Sequence, residues 1–447
     1  MLGAQSTALL GAQGTTNGRN MREECPVRRL RIALLSYRSK PHCGGQGVYV
    51  RHLSRELTAL GHHVEVFSGQ PYPDLDAGPV LDPLPSLDLY RDDDPFRTPG
   101  FTEVRDLVDV LEVATMWTGG FPEPLTFSLR AARALAARRG DFDVVHDNQS
   151  LGYGLLGLER VGLPLVATVH HPITVDRRHE IAAAPSMLRK LSLHRWYGFT
   201  RMQARVARRV PTLITVSESS AADIVGDFGV RRDRVRVIPV GVDTDVFAPP
   251  TAPRVPGRIV AVSSSDSPMK GARVLLEAVA KLRTERDVEL VVVGRPRSDG
   301  PVARAVDELG IADAVRFVTG LPDPALAELF GSAEVAVVPS LYEGFSIPAV
   351  EAMACATPLV ATSGGALPEV VGDCGVLVEP GNPSELAAAL GDLLDDEDRR
   401  HRLGAAGRRR VEERFTWRAM AVRTAEVYAD AINRAGRPTS EKQGVQC

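Results

Sequence analysis

Short runs of β-branched and aliphatic residues alternate with longer amphipathic stretches along the chain. LRIALLS (Leu30 to Ser36) predicts a first strand, GVYVRHLSRELTALG a helix after it, and HHVEVFSG a second strand. FDVVH, PLVATVH and TLITVS repeat the strand pattern further on. Strands that read as continuous apolar runs, each followed by a helical segment, imply parallel βαβ units with both sheet faces covered. The pattern then restarts with RIVAVSS (Arg258 to Ser264), the helix ARVLLEAVAKLR, and the strands VELVVVG, AVRFVTG, AEVAVVPS, PLVATSGG and CGVLVEP. A proline cluster from Pro249 to Pro256 separates the two series and reads as a linker.

The predicted fold class is therefore α/β, with two doubly wound Rossmann-like domains whose parallel sheets face a central cleft. The expected divisions are a flexible tail over 1–27, a first domain over 28–248, a linker over 249–256 and a second domain over 257–410. A C-terminal helical segment over 411–434 and a tail over 435–447 complete the chain. The Pro- and Asp-rich stretch from Leu75 to Thr102 reads as a long surface excursion.

Composition narrows the function. The chain has 447 residues and a formal net charge of −3, so no global field points to nucleic acid. It contains no apolar run long enough to span a membrane. Five cysteines, with no CxxC pair, read as reduced thiols of a cytoplasmic protein. The N-terminus lacks a basic segment ahead of an apolar core and does not read as a signal peptide. The triplet Asp92–Asp94 sits among Arg and Pro and reads as a solvated loop rather than a metal site; no metal is expected.

Candidate chemistry sits where strands end. CGGQGVYV (Cys43 to Val50) places Gly44 and Gly45 before a helix N-terminus, a turn that suits a phosphate and equally a tight turn with no ligand. It does not fit the dinucleotide pattern GxGxxG. His170 ends the strand PLVATVH, where a ring nitrogen can meet a sugar hydroxyl; alternation alone does not choose it over His171. SSSDSPMKG (Ser263 to Gly271) offers Lys270 as a point charge for a phosphate, or simply an exposed lysine. In SLYEGFSIPAVEAMACA, Glu343 and Glu351 stand eight residues apart. One continuous helix would set them about 80° off a common face. Gly344 breaks the helix, so Glu343 falls in the preceding loop and Glu351 about one turn in, with Ser346 as N-cap and Pro348 in the first turn. Ionised carboxylates accept from diols, while the glycines, the helix start and Lys270 suit phosphate. Together they ask for a sugar joined to a phosphate; singly, each glutamate reads as solvated.

From about Arg29 to Arg434 the sequence resembles the retaining glycosyltransferases of family 4, which have the GT-B fold. The most specific signal is E-x7-E in YEGFSIPAVEAMACATPLVAT, preceded in order by the GGxG loop, the cleft His and the lysine loop. GGALPEVVG and FTWRAMAVRTAEVYADA add to the likeness. The resemblance implies a hexosyl transfer from a UDP- or GDP-sugar to an acceptor hydroxyl, without a required cofactor. It places His170 and Glu343 at the reaction centre and Glu351 on the ribose diol. Lys270 and the backbone near Gly44, Gly45, Phe345, Ser346 and Ile347 would hold the diphosphate. The family's Gly-Arg pair shortly before the lysine falls here among Ser263, Ser264 and Ser265, so Ser264, Ser265 or Arg295 would substitute as phosphate contacts. That departure motivates a second reading, a non-catalytic partner that binds a sugar nucleotide or lipid. Phosphorylases of the same fold need a pyridoxal-lysine context not found here, and epimerases lack E-x7-E.

The segment 187–210 holds seven basic residues, Arg189, Lys190, Arg195, Arg201, Arg205, Arg208 and Arg209, and no carboxylate. Arg201, Arg205 and Arg208 share a helical face, which suits a peripheral contact with an anionic membrane at the inner face of the plasma membrane; the family resemblance adds a lipid-linked or cell-envelope glycan precursor as one acceptor class. The alternative is a cleft-side helix that meets solvent or an acceptor phosphate.

Overall fold

The computed structural model describes residues 29–39, 45–91, 93–263 and 267–436. The first half contains β1 (Arg31–Ser36), β2 (His63–Ser68), β3 (Val80–Pro83), the small hairpin β4 (Tyr90–Arg91) and β5 (Asp94–Pro95), β6 (Val144–Asn148), β7 (Leu165–Thr168), β8 (Thr212–Thr215) and β9 (Val235–Val237). Seven of these form one sheet in the order β3-β2-β1-β6-β7-β8-β9, and every pairing within it is parallel. The second half contains β10 (Val255–Val262), β11 (Glu289–Val293), β12 (Val315–Val318), β13 (Ala333–Val338), β14 (Leu359–Thr362) and β15 (Val376–Val378). They form a six-stranded parallel sheet in the order β12-β11-β10-β13-β14-β15. In each sheet the order reverses beside the first strand, so β1/β6 and β10/β13 are the topological switch points where open α/β sheets bind ligands.

Burial explains the strand sequences. Ile32, Leu34 and Leu35 of β1 and Val335, Val337 and Val338 of β13 are buried, because helices cover both faces. The helix Gly45–Ala59 turns Tyr49, Val50, Leu53 and Leu57 onto the first sheet. Each such side chain contributes roughly 1.5–3 kcal/mol on burial.

Two expectations are revised here. The excursion 75–102 is not wholly loop: β3 pairs in parallel with β2 and extends the sheet edge. The linker ends earlier than expected, since β10 begins at Val255, inside the proline cluster. The chain then returns to the first half. Val242 pairs with Thr416, and a Cβ on Gly241 would lie 2.2 Å from the Trp417 backbone nitrogen, so only glycine lets the two segments approach. The final helix, Trp417–Arg434, packs on the helix Gly45–Ala59 and on β6 and β7. Trp417 stacks on His52 at 4.6 Å, and the Tyr428 hydroxyl lies 2.6 Å from His146 Nδ1. Among the described residues no helix is long and apolar enough to cross a membrane.

Candidate active site

Two loops at the carboxyl ends of β10 and β13 are stitched together. The Leu341 N–H donates to the Met269 carbonyl at 2.8 Å. Gly271 has φ +65°, and a Cβ there would collide with the Pro339 carbonyl at 2.0 Å. This contact carries Lys270 to Glu343: Nζ donates to Oε1 at 2.8 Å. Ser340 Oγ donates to the same carboxylate oxygen at 2.6 Å. The glycine pair Gly364–Gly365 supports the loop from behind, where Cβ atoms would strike the carbonyls of Leu341 and Glu343 at 2.4 and 2.3 Å. The Ala366 N–H then donates to the Glu343 carbonyl at 2.8 Å.

Glu351 lies in the helix Ile347–Ala354, about one turn in, and Glu343 precedes it in the loop. Glu351 is half-buried, and its carboxylate accepts no hydrogen bond among the described residues. Burial pushes its pKa up to about 8, and the charge of Asp323 adds to the rise. Phe345 is buried against Phe415, with ring centroids 5.7 Å apart.

The expected side-chain cap at Ser346 is absent. Ser346 has φ +82° and ψ +83°, a left-handed conformation uncommon for a residue with a Cβ, and makes no side-chain cap. Its buried Oγ has no hydrogen-bond partner among the described residues. The chain must turn sharply between Gly344 and the helix, and the turn rather than the cap sets the serine's geometry. Strain together with an orphan hydroxyl makes this loop a candidate functional segment.

His170 lies two residues beyond the end of β7 rather than at its last residue. Its Nε2 is 2.9 Å from Asn148 Oδ1, and its ring meets the edge of Tyr49 at 4.6 Å. Gln149, itself at φ +60°, clamps the backbone: it accepts from the His170 N–H at 2.8 Å and donates to the His171 carbonyl at 3.1 Å. Burial drives the His170 pKa down to about 3, with neighbouring His171 adding to the fall, so the ring is neutral.

The halves meet directly over the glutamate loop. Ser217 Oγ and Ser220 Oγ both donate to the Gly344 carbonyl, at 2.6 and 3.1 Å. The Glu369 carboxylate accepts from the backbone N–H groups of Glu218 and Ser219, at the start of the helix Glu218–Phe228. Tyr342 donates to Asp223 on the same helix. A Cβ on Gly344 would sit 3.2 Å from His171 Cβ, so His171 packs on the loop.

The other expected contacts divide as follows. Gly45 begins its helix with open space where a Cβ would be. Gly44, Ser264 and Ser265 lie outside the described residues. Arg295 is exposed beyond β11, with no hydrogen bond or ion pair among the described residues to Lys270 or Glu343. Asp92 also lies outside the described residues, and Asp93 and Asp94 pair with Arg91. The basic stretch is not one helix. It breaks at Tyr197–Gly198 into Met187–Trp196 and Phe199–Ala207. Arg205 donates to the Tyr153 hydroxyl and Arg208 to the Phe228 carbonyl, so the expected basic face lies partly on the protein. The sequence alone does not mark Asn148, Gln149, Ser217, Ser220 or Glu369 as site residues. The serine cap in VSESS and the glutamate in GGALPE were the available signals.

Two Rossmann-like halves, with paired carboxylates and a lysine at one switch point and a neutral histidine from the other half, define a GT-B sugar transferase. Residues 246–410 match the family described as glycosyl transferases group 1, and residues 43–246 match Glycosyltransferase Family 4. The chain is 59% identical over 409 residues to the MMP alpha-(1->4)-mannosyltransferase of Mycolicibacterium hassiacum, covering 91% of this chain and 99% of the relative. It is 33% identical to a D-inositol 3-phosphate glycosyltransferase of Xylanimonas cellulosilytica, covering 90% and 97%. Its fold superposes on sucrose-phosphate synthase from Thermosynechococcus elongatus with TM-score 0.70 and 25% identity, covering 91% of this chain and all of that one. The chain belongs to the family 4 type of GT-B glycosyltransferases.

Proposed function

We propose that the protein transfers a hexosyl unit, mannose being the sugar its mannosyltransferase relative favours, from a UDP- or GDP-activated donor to a saccharide hydroxyl with retention at the anomeric carbon. The relative's name supports an α-(1→4) product. The observation that carries the reading is the Lys270–Glu343 pair at 2.8 Å, with Glu351, unpartnered among the described residues, about one turn into the helix that follows. In this reading Glu343 accepts hydrogen bonds from the sugar and Glu351 from the ribose diol. Lys270 and the backbone amides of Phe345, Ser346 and Ile347 hold the diphosphate. The bond from the anomeric carbon to phosphate breaks while the acceptor oxygen attacks from the same face, and the acceptor's proton passes to the leaving phosphate oxygen. The protein's contribution is positioning and fixed positive charge at the departing group. Lys270 supplies that charge, so no metal is required.

Purified protein incubated with a panel of UDP- and GDP-sugars and a mannoside acceptor tests the reading. Release of nucleotide with formation of an elongated saccharide, unchanged by EDTA, is expected. Nucleotide binding without release, in the presence of acceptor extracts, would favour the non-catalytic sugar-nucleotide or lipid-binding partner. A peripheral membrane contact remains part of the proposal. It is supported by exposed Met187, Leu188 and Leu191 beside Arg189 and Lys190. Flotation with anionic vesicles at low salt is the test, and absence of co-flotation removes the contact.

A further inference from the structure

The stretch His146–Leu151 is buried throughout, yet it is polar except for Leu151. Most of it is accounted for. His146 bridges Tyr428 and Thr168, and Asp147 accepts from Ser150 and from the Leu151 N–H. Gln149 holds the backbone at 170–171. Asn148 is the exception. It is fully buried, its Oδ1 meets His170 Nε2, and its Nδ2 has no partner among the described residues. A buried amide with half its hydrogen-bonding capacity unmet is destabilising, and an aliphatic side chain would fill the site without that loss.

We propose that Asn148 is a positioning residue that fixes the tautomer of His170, holding the proton on Nε2 and leaving Nδ1 bare as the acceptor for a sugar hydroxyl. The proposal rests on the reading of His170 as the sugar-facing histidine. Three observations support it. An amide carbonyl only accepts, so the 2.9 Å contact requires a protonated Nε2. His170 makes no second side-chain hydrogen bond among the described residues, so nothing else selects the tautomer. Tyr49, which packs its ring edge against the imidazole, bonds through its hydroxyl to Thr168 and not to His170. Among the described residues the groups facing or acting on the ring are Asn148, Tyr49, His146 and His171, and none is a carboxylate. A neutral amide therefore orients the imidazole without charging it. An aspartate here would orient it equally and draw it toward imidazolium.

Selective 15N-histidine labelling of the full chain reads the tautomer directly, with the His170 signal assigned by its loss in His170→Ala. The wild type should show the Nε2–H form across neutral pH. Asn148→Leu should give a mixture of tautomers or the Nδ1–H form. Asn148→Asp, nearly isosteric, keeps the packing and should bring a His170 titration into the range of about pH 5–8. In turnover, kcat should fall about tenfold or more in either variant while KM for the sugar nucleotide changes little. Unchanged His170 signals in both variants would overturn the proposal. Wild-type turnover in His170→Ala would instead remove the histidine's assigned role, and the spectra would still decide what Asn148 does.

Discussion

Lys270 Nζ donates to Glu343 Oε1 at 2.8 Å across a span of 73 residues. The carboxylate side chain is 11% exposed and the lysine side chain 33%, so the pair is only partly screened by water. A donor sugar diphosphate would exchange this internal contact for two external ones, phosphate on the lysine and hydroxyls on the glutamate. Glu343→Gln keeps the shape and removes the charge, so kcat should fall about 10²–10³-fold. Lys270→Ala should fall comparably. The double variant should lose far less than the product of the two single losses, because both act through one contact. Initial rates over a donor concentration series decide it, and turnover unaffected by Glu343→Gln removes the catalytic assignment.

Glu351 gives a pH prediction. Its pKa is raised from the ordinary 4.5 to about 8 in the folded protein, chiefly by burial. Between those values the folded state holds a proton that the unfolded state has lost, so this group's contribution to stability declines as pH rises from about 4.5 to 8. A ribose diol favours the ionised form. Nucleotide binding below about pH 8 should therefore release a proton, and affinity should improve from pH 6 to 8. Titration calorimetry in buffers of different ionisation enthalpy measures the release. Glu351→Gln should abolish it, and the same proton count in that variant would contradict the assignment.

The candidate site around the two glutamates is legible in the sequence because its parts are local: a strand, a Gly-broken loop and a helix carry Glu343 and Glu351 within nine residues. The parallel sheets were legible for the same reason, as each β-branched run buries on both faces. What was not legible depends on distant contacts. Asn148 becomes informative only when β6 places it beside His170, and Glu369 only when it meets the start of the helix Glu218–Phe228. The Ser346 cap failed because serine usually prefers that position, while the tertiary turn after Gly344 imposes a left-handed backbone. The strand β3 was hidden by its own sequence, VLDP, in a stretch dominated by turn residues.

The contact between the halves has its own test. Glu369 accepts from two backbone N–H groups of the opposite half, and Ser217 and Ser220 hold the Gly344 carbonyl. Glu369→Ala removes a helix-terminal acceptor, a loss of about 0.5–2 kcal/mol, here taken from the closed arrangement. Gly344→Ala adds a Cβ at 3.2 Å from His171 Cβ and 3.4 Å from Ser220 Oγ, which pushes the same surfaces apart. Both variants should show a larger radius of gyration in solution scattering and a lower kcat. Unaltered scattering and turnover in both would mean that these contacts do not govern closure.

The final helix should matter to the first half as much as to its own. Tyr428 and His146 are fully buried, and the tyrosine hydroxyl lies 2.6 Å from Nδ1 while Nε2 lies 2.7 Å from Thr168 Oγ1. Tyr428→Phe leaves one buried ring nitrogen unpaired, which costs about 1–3 kcal/mol and lowers Tm. The histidine also sets an acid limit. Burial lowers its pKa from 6.5 to about 3, and His170 behaves alike. Because the unfolded chain takes up these protons first, stability is fully present above about pH 6.5 and declines as pH falls toward 3. Melting curves between pH 7 and 4 should show that decline in the wild type. Tyr428→Phe should start from a lower Tm at pH 7. A variant as stable as the wild type at pH 7 would mean that the Tyr428–His146 contact does not hold the helix Trp417–Arg434 to the first sheet.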